Sequence, residues 1–437
     1  MPKDLTLPPT FPAYYDHRRG NYLIDSRHGW TQLSKEDLLL HMRSQGYDHN
    51  RANGELSLLE VELLKLQIHN KIDFSGSVAG HKKGIVTMGG SRVLVTQGYR
   101  EIIPVRKPWP LFEQFLVNLF DRIDKAQKPI FYSWCQVYLR SLHANIFMPG
   151  QALVLAGPHK CGKSFLQNLL THLFGGRSAN PWPYMSGSTE FNSELCAAEH
   201  LQVEDPAVSK LSDRLDFSAR IKQLTVNEIQ PCHGKNRDII TIQPRFRLSI
   251  SINDDSYNVR AVPPMDDSTA DKFDIFRCAQ NSVPCDSNDP EVREKFRLAI
   301  IDELAGFAWF LLNEWRIPVE LQSGRFGVTH YHQPEILDEI NSQSPEFDLL
   351  NLFDENPHCF FKDSRTPWTG STKRLCSKFS DIGLDHEAQK LSKSERTVGL
   401  RMASLARKCP TRVHYKRTET SRYWIVYPAN YDHSAVE

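Results

Sequence analysis

The sequence lacks any long hydrophobic run and carries almost no net charge, with 53 Lys and Arg against 52 Asp and Glu. No apolar stretch reaches the roughly 20 residues that a membrane-spanning helix needs. Residues 1–6 also lack the apolar core of a signal peptide. We therefore expect a cytoplasmic protein with no membrane partner. Because the charges balance, any surface that binds nucleic acid must be local.

Closely spaced cysteine pairs are missing as well. The nine cysteines are dispersed and include no C-x-x-C pair, which argues against a zinc site. Free thiols in a reducing compartment are the simplest interpretation. At 437 residues the chain exceeds the usual size of a single core, so we expect two or three domains.

A complete G-x-x-x-x-G-K-S phosphate loop is present in the middle of the chain. Its residues are Gly157, Pro158, His159, Lys160, Cys161, Gly162, Lys163 and Ser164. An apolar run of strand length precedes it at 151–156, and apolar residues at helical spacing follow at 165–174. This order brings backbone N–H groups to a phosphate at a helix N-terminus. We expect ATP and Mg²⁺, with Lys163 as a solvent-facing cation for the β/γ-phosphates and the Ser164 hydroxyl on the metal.

Carboxylates follow the next candidate strand. Residues 198–205 end in Glu204 and Asp205, about 40 residues after the phosphate loop. A P-loop ATPase needs one acid at Mg²⁺ and another that orients the attacking water. We assign Glu204 to the metal and Asp205 to the catalytic base. A third strand at 246–252 ends in Asn253, which either contacts the γ-phosphate or simply begins a turn.

Between these two strands, β-prone flanks at 229–242 surround a Gly-Lys-Asn tip. This pattern predicts a β-hairpin with a cationic end. Its candidate DNA-binding residues are His233, Lys235 and Arg237. A basic surface hairpin without function is the alternative interpretation.

The order of these parts resembles superfamily 3 helicases, the AAA+-like ring motors of viruses, phages and plasmids. The resemblance rests on GPHKCGKS, LQVED, HGKNR and LSISIND, which follow one another within about 100 residues. More narrowly, the chain looks like the helicase part of phage and plasmid primase-helicases. The resemblance implies an α/β, AAA+-like core and a homo-oligomeric ring, expected as a hexamer. It also implies ATP-driven DNA unwinding in replication, with a separate primase or polymerase as a possible partner.

The same resemblance implies roles for basic residues. The hairpin tip would enter the central channel, where Lys235 grips DNA phosphates. A basic residue from a neighbouring subunit would complete the ATP site, and the family places it within residues 266–277. The candidates in and near that segment are Lys272, our first assignment, and Arg277 and Arg260.

Composition and periodicity predict three regions. Residues 1–125 are an N-terminal α+β region for assembly or DNA contact. Residues 126–320 are the ATPase core, whose last long helix begins near Asp289 and acts as a lid, and 317–345 is a linker. Residues 345–430 are a winged helix.

The predicted winged helix is locally basic. Ten Lys or Arg stand between residues 390 and 422 against two Glu, which favours DNA over protein docking. The candidate DNA-binding residues there are Arg396, Arg401, Lys416 and Arg417. An alternative function stays open, in which a nucleotide-switched initiator or defence ATPase assembles on DNA without unwinding it.

Overall fold

The chain is described by a computed structural model. It covers residues 3–27, 29–50, 55–206, 211–235, 237–259, 261–263, 265, 268–280, 282–285, 288–342, 344–363, 365–383, 394–418 and 422–431. The contacts divide the chain into two compact units, residues 1–336 and 337–437.

The first unit begins with two small sheets and two helices. One sheet has the order β3-β2-β1-β4 and the other β5-β7-β6. Their strands are β1 (Ala13–Asp16), β2 (Asn21–Ser26), β3 (Gly29–Leu33), β4 (Lys71–Ile72), β5 (Phe74–Gly76), β6 (Gly84–Met88) and β7 (Ser91–Val95). The helices are α1 (Lys35–Ser44) and α2 (Leu58–His69). A capping box of Ser57 and Glu60 fixes the start of α2.

The rest of this unit is built from helices around a parallel sheet. Its helices are α3 (Pro110–Leu116), α4 (Gln127–Ala144), α5 (Lys163–Phe174), α6 (Trp182–Met185), α7 (Ser193–Ala197), α8 (Leu211–Val226), α9 (Ser256–Val259) and α10 (Pro290–Asn313). Helix α11 (Pro334–Ser342) spans the boundary at residue 336 between the two units. Its strands are β8 (Ala152–Ala156), β9 (Ser178–Ala179), β10 (His200–Glu204), β11 (Gln230–Cys232), β12 (Ile240–Ile242), β13 (Arg247–Ile252) and β14 (Phe273–Arg277).

The central sheet has the order β14-β8-β13-β10-β9, and every pairing in it is parallel. Strand β8 is buried along its whole length, which explains its unbroken apolar sequence. In register, Ala156 at the end of β8 lies between Ile252 of β13 and Arg277 of β14. The loops that follow these strands therefore share one edge of the sheet, where ligands of open α/β sheets bind.

One apolar cluster packs α3, α4, α5 and α10 against this sheet. It includes Phe112, Phe131, Leu170, Phe276 and Phe307. Helix α10 begins as the Asp-Pro pair predicts, because the Asp289 side chain accepts a hydrogen bond from Glu291 N at 2.8 Å. Buried side chains such as Leu304 make α10 a layer of this core. A lid function for α10 stays a prediction.

The predicted linker at 317–345 is wrong for its central part. Ile275 N donates to Tyr331 O at 2.7 Å, and Gln333 N donates to Ile275 O at 2.9 Å. The segment thus lies beside β14 and covers what would be an open sheet edge. Its residues show no alternation of apolar and polar side chains, so the sequence pattern gave no sign of this pairing.

A buried carboxyl on β14 gives a prediction about stability. The Asp274 Oδ1 atom accepts a hydrogen bond from Tyr331 N at 2.9 Å, whereas Oδ2 has no partner among the described residues. Burial raises the pKa of Asp274 to about 8. Between pH 4 and 8 the folded state therefore binds more protons than the unfolded state, and the free energy of unfolding falls as pH rises.

We expect Asp274→Asn to remove this pH dependence. Its stability gain over the wild type should grow between pH 4 and 8, by at most about 1.4 kcal/mol per pH unit. Thermal unfolding at pH 5, 6, 7 and 8 measures the gain. Glu190→Gln removes an exposed carboxylate from the same unit and serves as the control. A gain for Asp274→Asn that is constant with pH would contradict the prediction.

The second unit alternates helices with an antiparallel sheet of order β15-β17-β16. Its elements after α11 are α12 (Pro345–Glu355), α13 (Pro357–Phe360), β15 (Trp368–Gly370), α14 (Thr372–Asp381), α15 (Glu395–Lys408), β16 (Val413–Arg417) and β17 (Arg422–Val426). The core of this unit joins Phe353 of α12 to Leu375 of α14, Leu405 of α15 and Val426 of β17. It is a separate hydrophobic core from that of the parallel sheet.

Candidate nucleotide site and nucleic-acid surfaces

The phosphate loop connects β8 to α5 at the shared edge of the sheet. Lys160 and Gly162 have φ of 60° and 111°, a left-handed backbone that turns successive N–H groups toward a common concavity. A Cβ on Gly157 would meet Cβ and O of Cys278 at 2.8 Å, so only glycine fits there. No side chain in the described part of the chain caps α5, and Ser164 in its first turn is exposed. This geometry suits an anion at the helix N-terminus.

Lys163 does not face solvent, and that expectation was wrong. Its side chain is buried, and Nζ donates to Gly157 O at 2.7 Å and Pro158 O at 2.8 Å. Nζ also lies 3.4 Å from Asn253 Oδ1. An ammonium carries three donors, and carbonyls of its own loop satisfy two of them. The structure thus brings the side chains of Lys163, at the phosphate loop, and Asn253, at the end of β13, close together.

The sequence did not reveal a pair of thiols, one in the phosphate loop and one just after β14. Cys161 and Cys278 are both buried, and Cys161 Sγ is 3.7 Å from Lys163 Nζ. A hydrogen bond from the Cys278 thiol and the nearby Lys163 charge lower the pKa of Cys161 to about 6. Burial raises the pKa of Cys278. Only the parallel pairing of β8 with β14 makes these two cysteines neighbours, so their positions along the chain could not reveal it.

The two acids at the end of β10 lie at the same edge, one strand beyond β13. Glu204 is exposed and stands in register with Ser251. Asp205 is also exposed, and its N donates to Ser251 O at 3.0 Å. Its φ of 40° places it in the left-handed region, which aspartate tolerates better than most residues. The two side chains therefore leave the sheet from different backbone conformations.

The donor set fits Mg²⁺ bound together with a nucleotide. Ser164 supplies a hydroxyl and Glu204 a carboxylate at the same sheet edge. Among the described residues, no group of three or more His, Cys, Asp or Glu side chains is placed to hold a metal alone. Mg²⁺ in nucleotide sites typically takes one or two protein oxygens and completes its shell with phosphates and water. These residues match that pattern.

The candidate basic residues around β14 occupy different places. Lys272 precedes β14, at the strand end opposite the phosphate loop, and its buried Nζ pairs with Asp271 Oδ1 at 2.5 Å. Arg277 ends β14 beside the loop, where it lies 3.5 Å from Asp254 and also pairs with Glu335. Arg260 lies outside the described residues. The structure therefore brings Arg277, and not Lys272, to the nucleotide edge of its own chain.

The predicted hairpin is present as the antiparallel pair β11 and β12. Lys235 is exposed in the connecting turn. His233 is anchored instead, because its N donates to Asn192 Oδ1 at 2.7 Å and its ring packs on Phe191. The base of the hairpin packs on the sheet of β5, β6 and β7 through Cys232, Ile240 and Ile242. Of the described candidates here, Lys235 and Arg237 are the exposed ones.

The basic candidates of the second unit separate into two groups. Arg396, Lys416 and Arg417 are exposed. Arg401 is half-buried near Glu346 and Asp348, and burial lowers the pKa of its guanidinium. Lys408 and Arg412 form ion pairs with acids of α12 as well. Some of the basic residues counted in the sequence therefore contact acids within the unit and are not available to DNA.

The fold is similar to that of one solved region, at low sequence identity. The apo C-terminal region of NrS-1 aligns with a TM-score of 0.56 and 14% identity over 95% of each chain. Another apo form of that region gives a TM-score of 0.54 at 13% identity, covering 95% of this chain and 96% of the other. The SCCmec type IV Cch helicase aligns with a TM-score of only 0.41 at 10% identity, over 96% of this chain and 92% of that one.

No protein-family model and no curated protein sequence matches the chain. Across the described residues, no helix has both the length and the apolar character needed to cross a membrane. What the comparisons add is the fold: this chain is a mixed α/β protein with a central parallel sheet, similar over nearly its whole length to the C-terminal region of NrS-1.

Proposed function

We propose that this protein is an ATP-hydrolysing DNA translocase or helicase that works as a homo-oligomeric ring in the replication of a mobile element. One observation carries the proposal. The phosphate loop, Asn253 and the Glu204–Asp205 pair follow neighbouring strands of one parallel sheet and share its edge. That arrangement is what phosphoryl transfer from a bound nucleotide requires.

In this proposal each side chain at the edge has a separate task. Lys163 offers its ammonium to the phosphates once it leaves the carbonyls of Gly157 and Pro158. Glu204 and Ser164 hold Mg²⁺, and Asp205 accepts a proton from the attacking water. ATP bound with Mg²⁺ supplies the phosphoryl group that is transferred. Asn253, already beside Lys163, is positioned to report on the terminal phosphate.

The basic residue that completes the site has two candidates with described positions. Arg277 lies at the nucleotide edge of its own chain, which supports a role in cis. Lys272, at the far end of β14, could act only on the site of a neighbouring subunit. A ring supplies that neighbour, and we keep Lys272 as the proposed residue in trans.

DNA contacts are proposed on both units. In the second unit, the order α12-β15-α14-α15-β16-β17 with its small antiparallel sheet supports a winged helix, with β16 and β17 as the wing. Exposed Arg396, Lys416 and Arg417 would contact backbone phosphates. In the first unit, Lys235 at the hairpin turn would grip the strand that is moved.

Replacing Lys235 with alanine tests the mechanical part of the proposal. A lost charge-assisted hydrogen bond of about 1.5–3 kcal/mol corresponds to roughly a tenfold to hundredfold slower step. We expect strand displacement to fall by that factor while duplex binding, measured by fluorescence anisotropy, stays nearly unchanged. Lys35→Ala, an exposed lysine on α1, is the matched control.

The wild type separates the two function classes in the same assays. ATP turnover stimulated by DNA together with strand displacement supports the helicase. Stimulated turnover with no displacement supports the alternative, a nucleotide-switched protein that assembles on DNA. Unwinding by Lys235→Ala at the wild-type rate would reduce the hairpin to a surface turn.

A further inference from the structure

A cavity of about 270 Å³ lies between the turn joining β1 to β2 and the β11–β12 hairpin. Arg18 and Arg19 line it from the turn, and Arg237 lines it from the hairpin. Arg18 Nη1 also donates to Ile239 O at 3.3 Å, which ties the two walls together. We call these three side chains the arginine pocket. It joins the N-terminal region to the segment that carries Lys235.

One hydrogen-bond donor of the arginine pocket has no partner in the described part of the chain, although Asp16 forms an ion pair with the same guanidinium. Arg19 Nη2 is buried and has no hydrogen-bond partner among the described residues. Its Nε is 3.8 Å from Asp16 Oδ2, beyond hydrogen-bond distance. Burial and the positive charge of Arg237 lower the pKa of Arg19. A buried donor without a partner and two like charges in proximity are both unfavourable, and one bound anion would relieve both.

Three carboxylates, those of Asp16, Asp73 and Asp238, also line the cavity, and other donors engage the first two. Asp16 Oδ2 accepts a hydrogen bond from Ser75 Oγ at 3.1 Å. Asp73 Oδ2 accepts one from Arg92 N at 2.7 Å. The carboxylates of Asp16 and Asp73 hold the walls in place, whereas Arg19 Nη2 has no partner among the described residues.

We propose that the arginine pocket binds a phosphate group, and that a single DNA strand passing the hairpin supplies it. This proposal rests on the proposed function. Guanidinium groups match phosphate oxygens with paired N–H donors. The cavity is slightly smaller than the roughly 300 Å³ at which small-molecule pockets begin, a size for one phosphate and part of its sugar. The pocket would hold the strand beside Lys235 and link its position to the N-terminal region.

Arg19→Ala tests the proposal against Arg43→Ala, an exposed arginine on α1 of the same region. We expect Arg19→Ala to bind single-stranded DNA at least about tenfold more weakly, in line with one lost charge-assisted contact. The slope of log affinity against log salt should fall by about 0.7, the value for one phosphate on a single strand. Arg43→Ala should match the wild type. Arg19→Lys keeps the positive charge but loses the paired N–H donors of the guanidinium, so it should bind single-stranded DNA with intermediate affinity.

A second arm identifies the source of the phosphate. Inorganic phosphate should raise the Tm of the wild type and of Arg43→Ala more than that of Arg19→Ala. If only this difference appears and DNA affinity is unchanged, the pocket takes free phosphate. If Arg19→Ala, shown to be folded by its Tm, matches Arg43→Ala in both arms, the pocket binds no phosphate and the proposal falls. If the wild-type protein fails to turn over ATP, only the proposed function is contradicted. DNA affinity and the phosphate-dependent Tm can still be measured and still test the pocket.

Discussion

Replacing Lys163 with alanine should reduce ATP turnover by about a hundredfold to a thousandfold or more, the usual cost of losing a group that stabilises transition-state charge. The ammonium sits within the loop, next to Asn253. Lys160 of the same loop is exposed, and Arg277 at the same edge pairs with Asp254 and Glu335, so neither cation occupies the position of Lys163. Steady-state turnover with saturating ATP and Mg²⁺ measures the effect, and Lys35→Ala is the control.

The buried position of Lys163 changes how this variant must be interpreted. Alanine leaves the carbonyls of Gly157 and Pro158 without the donor that they have now, at a cost of about 1–3 kcal/mol. A drop in Tm is therefore expected alongside the lost activity. Turnover should be assayed well below the unfolding transition of the variant. Activity within tenfold of the wild type would contradict the assignment of Lys163.

Local patterns were enough to place the parts of the nucleotide site. An apolar run, a glycine loop and helical spacing predicted β8, the phosphate loop and α5, and the structure confirms these elements. The predicted hairpin is confirmed too, because its flanks and turn are contiguous in sequence. Each of these features is encoded within about 20 residues.

Contacts between segments that are distant in sequence could not be predicted from such local patterns. The pairing of residues 331–333 with β14 and the meeting of Cys161 with Cys278 depend on strand order, which no local period encodes. The approach of Arg18 and Arg19 to the hairpin depends likewise on how separate sheets pack. Sequence reasoning therefore found the nucleotide loop and missed what surrounds it.

Charge counts fail for a related reason. Ten basic residues between 390 and 422 predict a cationic surface, but their number does not tell which of the side chains face solvent. On α15, Arg401 precedes the buried Met402 and turns toward the acids of α12, whereas Arg396 at the first turn is exposed. The position of each arginine relative to the apolar stripe of α15 could have indicated which of them is exposed.

Asp205→Asn should still bind ATP but turn it over at least about a hundredfold more slowly, because a general base typically contributes that much. The backbone makes asparagine the right replacement. Asp205 has a φ of 40°, a region that asparagine also adopts readily, whereas alanine there would add about 1–2 kcal/mol of strain. Asparagine therefore removes the charge and keeps the strand end in place. Single-turnover hydrolysis together with titration of a fluorescent ATP analogue separates the chemical step from binding.

Glu204→Gln is the matched comparison, one residue earlier on the same strand end. Glu204 remains in register with Ser251, so glutamine should leave β10 intact. If Glu204 holds the metal, this variant should need more Mg²⁺ for half-maximal turnover, whereas Asp205→Asn should not shift the Mg²⁺ dependence. Normal turnover by Asp205→Asn, with loss of hydrolysis by Glu204→Gln at all Mg²⁺ concentrations, would mean that the two carboxylates exchange roles. The left-handed backbone at Asp205 would then place a metal ligand and not the base.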